Sequence, residues 1–310
     1  MEINLKIEKY IPIIGMAFML LLVQLIAIAL SKPLEANDFK AFENPEDTGN
    51  VFVWVAIILI FTAFIFLVIK LNKKWMIQAF ILITIGWTLG YVFYALFSMF
   101  PQFMTPDTNL ILTILISAAL TVILYKFPEW YVIDIIGVII GAGSASIFGI
   151  SLDIVPVILL LIVLLVYDYI AVYQTKHMVA LAEGVMDLKL PILLVIPKHW
   201  NYSFMTEKFD KVEREAFFMG LGDAVMPTLL VVSANFFITE TTYYSLPLIG
   251  AINIPAIGAI LGTFLGFSVL MVLVMKGKPQ AGLPFLNCGV ILGYVAGSLV
   301  ARTSIFGGYF

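Results

Sequence analysis

The sequence predicts an all-α, polytopic membrane protein with nine transmembrane helices, a cytoplasmic N-terminus and an extracytoplasmic C-terminus. Three observations lead there: the composition, the number of long apolar runs and the placement of the cations. The 310 residues are 62% hydrophobic and only 12% charged, with a mean hydropathy of +1.06. Soluble domains are about 45–50% apolar and about 25% charged. A chain this apolar lacks the polar surface to cover a core in water, so lipid is its solvent. No basic cluster points to nucleic acid. The single cysteine, Cys288, excludes an internal disulfide, and in its apolar stretch it reads as a small packing residue.

A span needs roughly 20 apolar residues to cross the hydrocarbon of a bilayer. Runs of that kind fall at 11–31, 51–70, 76–100, 109–126, 130–150, 154–174, 216–238, 246–275 and 283–301. The first follows Lys6 and Lys9 and contains Ala27-Ile28-Ala29, which resembles a signal-peptide cleavage site. Its apolar run is longer than the roughly 7–15 residues of a signal core, so it reads as a retained helix. The fourth run is short and is parted from the fifth only by a turn at Lys126–Glu129. In the last two, Gly258, Gly262 and Gly266 face the same spacing as Gly289, Gly293 and Gly297. Small residues every fourth position let helices approach closely in lipid.

Orientation follows from the positive-inside rule. With the N-terminus in the cytoplasm, 14 of the 17 Lys and Arg residues fall on the inside and only Lys32, Lys40 and Arg302 on the outside. A missed span would scramble that asymmetry. The chain then divides into helices one to six (1–174), a cytoplasmic loop (175–215) and helices seven to nine (216–310), all within one membrane domain. The loop holds both histidines, His177 and His199, which lack metal-site spacing. Its apolar piece Leu190–Pro197 is too short to span and reads as strand-like or as a surface segment.

Charge inside a bilayer is costly and calls for a partner or a function. Asp134 lies near the cytoplasmic start of span five, within expected reach of Lys126 or interfacial water. Asp153 sits in the outer turn before span six, where it reads as a helix cap. Asp168 and Asp223 are different. Asp168 lies eight residues before Lys176 and Asp223 eight residues after Glu215. At 1.5 Å rise per residue, each sits about 12 Å inside its helix end. Two consecutive antiparallel helices thus carry acids at one depth, with no Lys, Arg or His beside them. Two such carboxylates share a proton. The ionised one takes a proton from water while the protonated one polarises a carbonyl. Pairing and depth alone leave two readings equally open: a protease, and a cation channel or proton-coupled transporter using the same acids.

The flanking residues separate these readings. Tyr167 precedes Asp168, and Asp223 closes Gly220-Leu221-Gly222-Asp223. Ala281-Gly282-Leu283-Pro284 precedes the last span. Together they resemble the presenilin and signal peptide peptidase family of GxGD intramembrane aspartic proteases, in its compact microbial, archaeal-type form. That family carries YD, GxGD and Pro-Ala-Leu motifs on its sixth, seventh and ninth helices. Here the Leu and the following Pro match, while the family's Pro and Ala are replaced by Ala281 and Gly282. The cytoplasmic N-terminus matches presenilin, whereas signal peptide peptidases insert the opposite way. Val225 stands where the prepilin peptidases, which share GxGD, typically carry Lys.

The resemblance implies an endopeptidase of the cell membrane that acts on transmembrane-helix proteins, with Asp168 and Asp223 catalytic. No metal or organic cofactor is expected, since the spans contain no His and the sequence shows no Cys cluster. Tyr167, Gly220, Leu221, Gly222, Ala281, Gly282, Leu283 and Pro284 are expected to shape the site and contact substrate. The resemblance also permits self-cleavage within the 175–215 loop.

Overall fold

The computed structural model describes residues 2–71, 73–174, 193–199, 201–205, 215–239, 241–246, 249–276 and 280–306. Most of the 175–215 loop, with His177 and most of the positions at which self-cleavage is permitted, lies outside the described residues. Nine α-helices are present among those described. They are α1 (Glu2–Ala36), α2 (Gly49–Lys70), α3 (Lys74–Ser98), α4 (Pro106–Lys126), α5 (Trp130–Gly149), α6 (Ile154–Tyr169), α7 (Leu221–Phe237), α8 (Ile254–Val274) and α9 (Gly282–Ala301). Eight are long and apolar enough to cross a membrane, and α7, with 17 residues, is a shorter apolar helix.

Two antiparallel hairpins interrupt the helices. Strand β1 (Leu193–Pro197) pairs with β2 (Ala216–Gly220) in the register Leu193↔Gly220 and Pro197↔Ala216. Strand β3 (Tyr243–Leu246) pairs with β4 (Gly250–Asn253). The strand-like reading of 190–197 is therefore met at Leu193–Pro197. Two helix starts differ from expectation. Span seven does not begin at 216: its first five residues are β2, because Phe217 and its neighbours have a strand to pair with and Gly220 and Gly222 weaken a helix. Span eight begins at Ile254 rather than 246. Asn253 caps it by accepting the Ala256 N–H at 2.8 Å, and Pro255 suits only the first turn of a helix.

The interior is built around α1, which packs against α3, α5, α7 and α8. Its Leu20, Val23 and Ala27 meet Ala142, Val225 and Val232 in one apolar cluster. A second cluster joins α6, α7, α8 and α9 through Leu160, Leu230, Ala256 and Tyr294. Helices α8 and α9 touch along the predicted glycine faces. A Cβ on Gly262 would strike the Gly289 carbonyl, and one on Gly293 would strike that of Gly258. Cys288, by contrast, is exposed rather than packed. It lies on the face of α9 that turns away from these contacts.

Two of the acids are structural in this frame. Asp153 caps α6 by accepting the Ile154 N–H at 2.6 Å. Its own N–H donates to the Pro45 carbonyl. Burial pushes its carboxyl up, the Ile154 bond pulls it back, and Glu46 adds a smaller push. Asp134 accepts the Val195 N–H of β1 at 2.7 Å. A backbone donor thus takes the place of the Lys126 or water partner expected from sequence. Chain folding brings β1 over the start of α5 and buries the carboxylate, which leaves the residue 1% exposed.

Candidate active site

Helix α6 is apolar without a break from Ile154 to Val166, so lipid and neighbouring helices satisfy it over most of its length. Its penultimate residue is Asp168, 7% exposed. Beyond Tyr169 the helix loosens into a π-helical turn, Ile170–Gln174. Such turns are frequent at functional sites because they re-aim side chains.

Asp223 arrives by another route. Strand β2 carries the chain to Gly220, and α7 starts at the next residue, which puts Asp223 in the first helical turn. Its depth is therefore not set by eight residues of helical rise, as the sequence suggested. Five of those residues are extended and rise about 3.3 Å each. Asp223 is half-buried.

The beginning of α9 joins the two acids. The Leu283 N–H donates to Asp168 Oδ2 at 3.2 Å. The preceding residue, Gly282, lies against Asp223 so closely that a Cβ there would stand 2.6 Å from Oδ2 and 3.0 Å from Oδ1. One peptide unit, Gly282–Leu283, thus stands between the carboxylates. Two consecutive residues of α9 therefore touch the two carboxylates.

The remaining predicted residues fall around this point in different ways. Gly220 is beside Asp223, with its Cβ position 3.6 Å from Oδ2, while Gly222 is exposed with open space around it. Leu221 turns the other way and packs on Gly141 of α5. Tyr167 is half-buried next to Asp168. Ala281 and Gly282 are buried, and Pro284 occupies the first turn of α9, where its missing N–H has no helical partner to lose.

Two contributors escaped the sequence reading. The Tyr173 hydroxyl donates to Gln280 Oε1 at 2.7 Å and accepts the Ala281 N–H at 3.3 Å. It ties the π-helical end of α6 to the residue before Gly282. Asn287, fully buried, donates from Nδ2 to the Leu161 carbonyl at 2.9 Å and fastens α9 to α6 one turn deeper. Tyr173 carries no signal of its own, since its partner is 107 residues away. Asn287 had one: an amide in an apolar span needs a buried partner. Among the described residues, no group of three or more His, Cys, Asp or Glu side chains is placed to hold a metal ion.

The chain as a whole is similar to known proteins. The profile of the family described as signal-peptide peptidase, presenilin aspartyl protease matches residues 16–303. One solved structure of a presenilin family intramembrane aspartate protease, in space group C222, is 36% identical with a TM-score of 0.70. It covers 94% of this chain and 100% of its own. Another such structure, in space group P2, is 38% identical with a TM-score of 0.68, covering 94% and 99%. No curated protein matches the chain. None of these likenesses supports the channel or transporter alternative. With a family profile over nearly its full length and apolar helices throughout, the chain is an integral membrane protein of the signal-peptide peptidase and presenilin family of intramembrane aspartyl proteases.

Proposed function

We propose that Asp168 and Asp223 are the catalytic pair of this protease, hydrolysing peptide bonds within or near transmembrane segments of other membrane proteins. The observation that carries the assignment is the Gly282–Leu283 peptide, which donates to one carboxylate and leaves no side chain between itself and the other. With one proton shared between them, one carboxylate accepts a proton from water as its oxygen attacks the scissile carbonyl. The other protonates the carbonyl oxygen. Collapse of the tetrahedral intermediate returns a proton to the departing amine. The pair titrates as a unit, so the roles belong to the dyad.

A transmembrane helix shields its own peptide bonds, so the substrate must unwind before it reaches the dyad. Gly220, Gly222 and the Ala281–Gly282 backbone offer approach without side chains, and Gly222 stands open to it. Tyr167, Leu283 and Pro284 complete the wall of the site, and Leu221 sets the start of α7 from its packing on α5. The protein crosses the cell membrane nine times in this reading. At 1.5 Å per residue, α7 is about 26 Å long, close to the hydrocarbon thickness. The N-terminus is cytoplasmic and the C-terminus extracytoplasmic, and the 175–215 loop lies on the cytoplasmic side, from which water reaches the acids. Helices α1–α6, the loop and α7–α9 work as one membrane domain.

Cleavage of a labelled single-span substrate by detergent-purified protein tests the assignment, with Asp168→Ala and Asp223→Ala beside the wild type. Both variants are expected to cut none. Normal cleavage by either one would refute the dyad.

A further inference from the structure

The protein holds another buried acid at the same end of the helices as the dyad, which does not use it. Asp134 is 1% exposed, accepts the Val195 N–H with Oδ1 at 2.7 Å, and among the described residues has no hydrogen-bond partner on Oδ2. Along a strand, successive N–H groups point to opposite edges. Because the Val195 N–H leaves toward α5, those of Leu194 and Ile196 face β2. Asp134 therefore grips the edge of β1 that the hairpin leaves over.

Its helix neighbours continue that grip. Gly137 and Gly141 follow at spacings of three and four, on the same face of α5. A Cβ on Gly137 would be 3.4 Å from Leu194 of β1. One on Gly141 would be 3.0 Å from Leu221 and 3.5 Å from Val225 of α7. One stripe of α5 thus seats β1 by a hydrogen bond and a close contact, then seats the first turn of α7. Between these two seats the chain is fixed by the β-ladder. Leu193 pairs with Gly220, and Asp223 follows three residues later.

From this geometry we infer that Asp134 is a positioning residue for the cleavage reaction: through the Val195 N–H and the β1–β2 ladder it sets where Gly220 and Asp223 stand. An apolar residue at this point would fill the space and suit the membrane better, but would leave the N–H without an acceptor. The strand could then shift along α5, and the carboxylate of Asp223 with it. Small displacements of reacting groups cost rate rather than substrate affinity.

The test compares three variants in the cleavage assay, with kcat referred to folded protein by gel filtration. Asp134→Asn keeps an oxygen for the Val195 N–H and is expected to hold kcat within about threefold. Asp134→Leu removes the acceptor and is expected to lower kcat by tenfold or more, roughly, with KM unchanged. Val195→Pro removes the donor at a position whose N–H does not serve the ladder, which a strand tolerates. It should reproduce the Leu result and carries the test if Asp134→Leu fails to fold. Wild-type kcat in Asp134→Leu or Val195→Pro, an Asn variant as slow as the Leu one, or a loss confined to KM would overturn the inference. It rests on Asp223 being catalytic. Asp223→Asn in the same assay reads that premise separately, since normal cutting by it would remove the premise whatever the Asp134 variants do.

Discussion

Helices α6 and α7 each bring an aspartate to the same peptide of α9, by opposite means. Asp168 comes at the end of a long regular helix and is held by a hydrogen bond from Leu283. Asp223 comes at the start of a helix that a strand delivers, and it is placed by the absence of a side chain at Gly282. A position defined by a bond weakens when the bond is removed. A position defined by empty space fails when the space is filled.

The largest effect short of deleting an acid should come from filling that space. Gly282→Ala forces the Asp223 carboxylate to move, and it should lower kcat by about 10²-fold. The melting temperature should hardly change, because the group that yields is the end of a side chain. Equal loss of activity and stability would show that Gly282 serves helix packing instead.

On the Asp168 side the expected effect is smaller. Tyr173→Phe keeps the ring against Tyr169, 5.1 Å between centroids, and removes only the hydroxyl that ties Gln280 and Ala281 to α6. A net loss of about 1 kcal/mol corresponds to roughly fivefold in kcat. Gln280→Leu removes only one of the hydroxyl's two bonds and should cost less, and the double variant little more than Tyr173→Phe alone, because the Gln280 bond acts through that hydroxyl. Additive losses would break the strap.

The smallest effect belongs to the opposite end of α6. Asp153 caps α6 far along the helix from Asp168, so Asp153→Asn should leave cleavage unchanged. Its carboxyl lies above the ordinary range because burial disfavours the charge. The native state therefore holds a proton there that the unfolded chain has released, and stability falls as pH rises. The window opens near the unfolded value of about 3.9 and closes at the raised one. Thermal melts across that window should show a shallower pH dependence in the Asn variant. An unchanged slope would assign the dependence to other groups.

Much of this molecule is legible in its sequence because lipid imposes a simple requirement on apolar length. Runs of apolar residues located the helices, and two unpaired acids at matching distances from charged loops singled out Asp168 and Asp223. The glycine faces of α8 and α9 were readable for the same reason, since a four-residue spacing has one geometric meaning on a helix. The hidden features depend on pairing across the chain. Residues 216–220 read as the start of a span because Ala216-Phe217-Phe218-Met219 is apolar in either conformation. Gly220 and Gly222 were the available sign of a break. The grip of Asp134 on Val195, 61 residues away, and of Tyr173 on Gln280 have no local signature.

The central claim is that both carboxylates face one bound, tetrahedral carbon. Calorimetric binding of a hydroxyl-bearing transition-state analogue to the wild type, Asp168→Asn and Asp223→Asn tests it most directly. Each substitution should weaken the analogue by about 10²-fold or more, because such ligands draw on contacts made only in the transition state. An analogue that bound either variant as tightly as the wild type would show that the corresponding acid does not face the reacting centre.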